Sequence, residues 1–83
     1  MLTIKILGSG CANCKRLETL TRVVAEEMGI EAEFIKVTEY PEIMKYPIMS
    51  TPGLVINEKL VSSGRVPGKA EINTLLVNAL EAV

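Results

Sequence analysis

The hydrophobic period of this chain changes at one short break, Gly8-Ser9-Gly10, and no other feature constrains the fold as strongly. Before the break, Leu2 to Leu7 read L-T-I-K-I-L, with Leu2, Ile4 and Ile6 on one face and Leu7 closing the run, the pattern of a β-strand. After it, Cys14, Leu17, Thr21, Val24 and Met28 recur at helical spacing, Leu20 and Val23 widen the stripe, and Gly29 supplies a helix stop. A second strand is expected at Ala32 to Val37, A-E-F-I-K-V, from its β-branched and aromatic residues. Two strands joined through a helix lie parallel by the usual right-handed crossover.

The remaining pattern completes one unit. Thr38 to Tyr46 is expected to form a short second helix, since Pro41 is tolerated in a first turn and Pro47 ends the segment. Leu54 to Ile56 and Leu60 to Ser62 read as two strands joined by a tight Asn57-Glu58-Lys59 connection. Ile72, Leu75, Leu76, Ala79, Leu80 and Val83 form an i, i+3, i+4, i+7, i+8 stripe behind Gly68 and Glu71 at N-cap and N3 spacing, so the chain ends on an amphipathic helix. The expected order is βαβαββα, an α/β architecture with three helices and a four-stranded sheet. With 83 residues and no repeat or linker, residues 1–83 are expected to be a single domain.

Composition removes whole classes of function. Nine Lys and Arg stand against ten Glu, a net charge of −1 that gives no electrostatic case for nucleic acid or an anionic membrane. No apolar run approaches the roughly 18 residues of a membrane span, and the stretch before Gly8 is too short for an export signal, so a cytoplasmic location is expected. The chain has no His and no Asp. The usual general base and the commonest neutral metal ligand are therefore missing, and chemistry must come from Cys, Glu, Lys, Tyr and backbone.

Against that background the segment GSGCANCKR stands out, with Cys11 and Cys14 at i and i+3 in the first turn of the expected helix. Two cysteines are too few for a disulfide-rich scaffold, and in a reducing compartment a close pair does redox or metal chemistry more often than it staples a loop. Unpaired N–H groups at the helix start, with Lys15 and Arg16 nearby, favour negative charge on Cys11, so Cys11 is expected to be the thiolate nucleophile. Cys14 shares the apolar stripe with Leu17, lies deeper, and suits the later attack that resolves a mixed disulfide. Gly10 belongs to a loop that lets another chain approach Cys11, or is simply a turn residue. Ala12 and Asn13 lie between the sulfurs, where N–H donors and packing tune the redox potential. The other candidates are blander. Met28, Met44 and Met49 are expected to fill the core, Tyr40 and Tyr46 to be half-buried, and Arg65 and the pairs Glu26-Glu27 and Glu31-Glu33 to be solvated surface.

Three segments in order, IKILGSGCANCK, MSTPGLVI and VSSGRVP, make the whole chain resemble the small thioredoxin-like redox-active disulfide proteins of archaea and bacteria, within the thioredoxin/glutaredoxin-fold superfamily. The resemblance implies a thioredoxin/glutaredoxin-like mixed four-stranded sheet and a thiol-disulfide oxidoreductase of the protein disulfide reductase type. It further implies a redox-active Cys11–Cys14 disulfide with no bound cofactor or metal, and a cis Thr51-Pro52 bond with Thr51 offering its backbone to an extended substrate. The implied partners are a disulfide-containing protein and a flavin-dependent thioredoxin reductase or similar donor, acting on a monomer. The chain departs from larger relatives. It has no Trp before Cys11, no Pro between the cysteines and no buried Asp, which leaves proton transfer at Cys14 unassigned. It also lacks the acid-bearing segment with which glutaredoxins grip glutathione, so glutathione is not implied as a partner. The rival reading is a copper(I) or other soft-metal module using the same two thiolates. Heavy-metal-associated domains, however, run βαββαβ and finish on a strand, and a zinc site within one chain would need more ligands than two Cys.

Overall fold

The computed structural model describes residues 2–10 and 12–81. Its elements are β1 (Leu2–Leu7), α1 (Ala12–Glu27), β2 (Ala32–Val37), α2 (Tyr40–Ile43), β3 (Gly53–Ile56), β4 (Lys59–Ser63) and α3 (Lys69–Glu81). The sheet order is β2-β1-β3-β4. β2 lies parallel to β1, β3 antiparallel to β1, and β4 antiparallel to β3, which makes the four-stranded sheet mixed. The predicted βαβαββα order is therefore observed.

The alternation of β1 divides the core between two faces. Leu2, Ile4 and Ile6 pack with Leu54 and Ile56 of β3 beneath Leu17 and Val24 of α1 and Ile72 and Leu76 of α3. Leu7 points the other way, into a smaller cluster with Ile43, Ile48 and Val55 under α2. On that second face Lys5 Nζ meets Tyr46 Oη at 2.9 Å and Glu58 at 2.5 Å, tying the segment after α2 to β1 and the hairpin. Thr21 sits fully buried in the α1 stripe because its hydroxyl donates to the Leu17 carbonyl at 2.7 Å, which removes the cost of hiding a polar group.

α1 stops through a specific device. Ile30 N–H donates to the Ala25 carbonyl at 2.9 Å and Gly29 N–H to that of Glu26 at 3.1 Å, the paired bonds of a Schellman cap, with Gly29 at φ 68°. Ile30 packs against the cluster containing Ala25, the apolar contact that accompanies such caps. A side chain at Gly29 would meet no neighbour within 4 Å, so Gly29→Ala isolates the left-handed backbone. It is expected to lower stability by about 1 kcal/mol, read as a shifted urea midpoint at unchanged m-value.

Four expectations need correction. The second helix covers Tyr40–Ile43 rather than Thr38 to Tyr46: after Ile43 the bonds Lys45 N–H to Glu42 and Tyr46 N–H to Ile43 span three residues, and Pro47 bars any further turn. The hairpin connection is two residues, not three. Asn57 and Glu58 both have positive φ, as the tightest hairpin turns require, so the strands extend to Ile56 and from Lys59. Finally, Met28 packs at the edge of the core, but Met44 is 51% and Met49 96% exposed. A one-turn α2 has too little face to bury them. Tyr40 is likewise exposed, whereas Tyr46 is half-buried. Among the described residues no helix is long and apolar enough to cross a membrane.

Candidate active site

The C-terminal end of β1 builds the site. Gly8 N–H donates to the Val37 carbonyl at 3.0 Å, extending the β1–β2 pairing one residue past the strand, and the chain then turns through exposed Ser9 and Gly10 into α1. Ala12, Asn13, Lys15 and Arg16 are exposed in the first turns of α1, while Cys14 is only 5% exposed. The helical stripe explains this burial, since Cys14 falls on the same face as Leu17 and Thr21. Cys11, the expected nucleophile, lies outside the described residues, and so does its pairing with Cys14.

Gly8 is where the elements converge. A Cβ placed there would stand 2.2 Å from Cys14 Sγ and 3.8 Å from Thr51 Cβ. Only a residue without a side chain lets the helix bring its thiol this close to the end of β1. The approach of Thr51 follows from register. Leu7 is paired with Gly53 across the antiparallel β1–β3 ladder, so the residues just before β3 run alongside Gly8. The Thr51–Pro52 bond is cis, Pro52 is buried and Thr51 is exposed. Gly64 N–H donates to the Pro52 carbonyl at 2.8 Å and packs so tightly on Ser50 that a Cβ there would lie 2.5 Å from Ser50 Oγ. The segment after β4 thus braces the loop beside Cys14. Next to Gly64, exposed Arg65 is held in a two-pronged pair with Glu71 at the start of α3, rather than standing alone in solvent.

A narrow crevice of about 50 Å³ opens beside Cys14, bounded by Gly8 and Gly10 at the turn, Lys15 and Glu18 on α1, and Ile6, Lys36 and Thr38 from the sheet side. Glu18 was not singled out by the sequence pattern, although its i+4 spacing from Cys14 carried the signal. Its carboxylate receives Arg22 Nε at 3.0 Å and faces Lys36 Nζ at 3.3 Å. Partial burial pushes the Glu18 carboxyl up, but the bonds from Arg22 and Lys36 outweigh it and hold the group below the usual carboxylate range. Among the described residues no cluster of three or more Cys or Glu is arranged to hold a metal ion.

The family model of the thioredoxin domain matches residues 2–77. The chain is 42% identical over 76 residues to a thioredoxin of Methanothermobacter thermautotrophicus, covering 92% of this chain and 99% of that protein. It is 36% identical over 81 residues to a thioredoxin of Methanocaldococcus jannaschii, covering 98% of this chain and 93% of that protein. The structure of thioredoxin 1 from Thermosipho africanus superposes with a TM-score of 0.62 over 96% of each chain at 21% identity, a likeness of fold.

Proposed function

The chain belongs to the thioredoxin family and is a thiol-disulfide oxidoreductase, and on that premise we propose that Cys11 and Cys14 are its reactive pair and protein disulfides its substrates. The Cys11 thiolate attacks one sulfur of a substrate disulfide. The Cys11–substrate bond forms as the substrate S–S bond breaks, and the departing substrate sulfur takes up a proton. Cys14 then loses its proton and attacks the Cys11 sulfur, closing the Cys11–Cys14 disulfide and releasing the second substrate thiol. Two electrons pass from the pair to the substrate.

The observation that best supports this division is the placement of Cys14: buried in the first turn of α1, against Gly8, with Thr51 closing on the same glycine. A buried thiol beside an exposed loop is suited to an internal attack and poorly suited to meeting a bulky substrate first. In this reading the exposed Thr51 backbone receives an extended substrate segment and Pro52 offers no competing N–H. Gly10, Ala12, Asn13 and Lys15 shape the approach to Cys11. Electrons return from a flavin-dependent thioredoxin reductase or similar donor, no resident cofactor takes part, and the chain acts as a monomer of one domain.

The test is direct. Purified protein should show two thiols that close reversibly into an intramolecular disulfide, and it should accelerate reduction of a protein disulfide. A potential near the roughly −270 mV of thioredoxins would support a reductase, and one near about −120 mV would point to disulfide formation instead. Tight copper(I) binding with no thiol exchange would overturn the proposal in favour of a soft-metal module.

A further inference from the structure

Cys14 shares its crevice with an ion pair for which the exchange steps above have no role: Glu18, one helical turn along α1, and Lys36, delivered by β2. We propose that these two side chains set the protonation of Cys14 in opposite senses, Glu18 holding it as a thiol in the reduced protein and Lys36 favouring the thiolate that attacks Cys11. This role presupposes the assignment of Cys14 as the resolving thiol.

Residues four apart on a helix are neighbours, with Cβ atoms roughly 5–6 Å apart, and Glu18 and Cys14 line the same crevice, which places the Glu18 charge on the Cys14 side of α1. The Glu18 side chain is only 16% exposed, which limits how much water screens that charge. Among the described residues the other charged groups here are Lys15, which lines the crevice from an exposed position, and Arg22, which holds the Glu18 carboxylate; in the reduced protein the proposed Cys11 thiolate is a further negative charge, the same in every variant compared below. Ile6, Gly8 and Thr38 from the sheet side, and Thr51 from the loop, bring no charge.

Two roles for Glu18 compete, acceptor of the Cys14 proton and fixed negative charge, and magnitudes separate them. A thiol titrates near about 8.5 and a Glu carboxyl near about 4.3, so transfer between ordinary groups is disfavoured by about 10⁴-fold. Arg22 and Lys36 make Glu18 a weaker base still, despite its partial burial. Glu18 therefore acts as a like charge that raises the Cys14 thiol, and the proton leaves to solvent water or buffer base. The sign follows: below its raised pKa Cys14 stays a thiol, so closure of the mixed disulfide slows as pH falls. Reduced protein keeps one thiolate rather than two, and a captured substrate is held longer before release.

The experiment charges Cys11 of the full chain with a small aromatic thiol as a mixed disulfide and follows release of that thiol between about pH 5 and 10. Glu18→Gln should shift the rate profile to lower pH by roughly half to one unit, with release about 3–10-fold faster at neutral pH. Lys36→Gln should shift it the other way by a similar factor. The ¹³Cβ titration of Cys14 in the reduced protein should move with each profile. A pair that only braces the fold would give both variants the same sign, and that result overturns the proposal, as would coincident profiles. Slower release by Glu18→Gln with an unmoved Cys14 titration would make Glu18 a base and equally overturn it. If the unmodified chain fails to release the thiol at all, the assignment of Cys14 as the resolving residue falls first and this role falls with it.

Discussion

Cys11→Ala is expected to reduce disulfide exchange to the uncatalysed background, whereas Cys14→Ala is expected to retain the first attack and accumulate a mixed disulfide with its substrate. The asymmetry arises from access. Cys14 is 5% exposed and packed against Gly8, so it cannot substitute for a missing outer thiol when the incoming disulfide belongs to a folded protein. Removing Cys14 leaves the entry step intact but deletes the only internal thiol able to attack the Cys11–substrate bond, because the chain has two cysteines. Release then depends on external thiols, and turnover with a protein substrate falls nearly as far as in Cys11→Ala. Turnover assays alone would not separate the two variants. Non-reducing electrophoresis after brief mixing would, with a substrate adduct on Cys14→Ala and none on Cys11→Ala. Adducts of equal yield on both variants would contradict the division of roles and would mean that Cys14 is reachable from outside.

How far such roles can be read from sequence depends on whether a contact is local. The burial of Cys14 is legible because one helical stripe carries it with Leu17, Thr21 and Val24, all of which are buried. The strand-to-helix break at Gly8 is legible as a turn for the same reason. What makes Gly8 obligatory is not legible, since the demand comes from a sulfur six positions away. Lys36 is harder still. Its place near Cys14 depends on the parallel register that pairs Ile6 with Lys36, which no local pattern encodes. Met44 and Met49 mislead in the opposite direction: hydrophobicity argues for burial, but the buried cluster under α2 consists of Leu7, Ile43, Ile48 and Val55, and the single turn of α2 leaves both methionines exposed. The proposed pair and Glu18 are thus written locally, whereas the demand on Gly8, the approach of Thr51 and the placement of Lys36 are written in the register of the sheet.

Gly8→Ala is the substitution in which this non-local demand should be largest. At φ 159° the backbone of Gly8 lies where L side chains rarely go, so a steric clash adds to a torsional cost that Gly8 shares with Gly10. A methyl group 2.2 Å from Cys14 Sγ cannot be accommodated in place, and either α1 shifts outward or the thiol rotates away. Overpacking of this kind costs about 1–3 kcal/mol, a melting temperature lower by roughly 4–8 °C per kcal/mol in a domain of this size. The catalytic consequence should exceed the structural one. Displacing Cys14 leaves both thiols present but separates the resolving sulfur from the position it needs for closure, so Gly8→Ala should trap substrate as Cys14→Ala does while still titrating as two thiols. Gly10→Ala supplies the control, because Gly10 has φ 91° and, among the described residues, nothing within 4 Å of where a Cβ would stand. That variant should lose stability through its backbone alone and keep the second step. Equal trapping by both glycine variants would show that the turn, and not the contact with Cys14, carries the effect. Normal turnover by a folded Gly8→Ala protein would mean that Cys14 does not need to lie against the end of β1 to resolve the mixed disulfide.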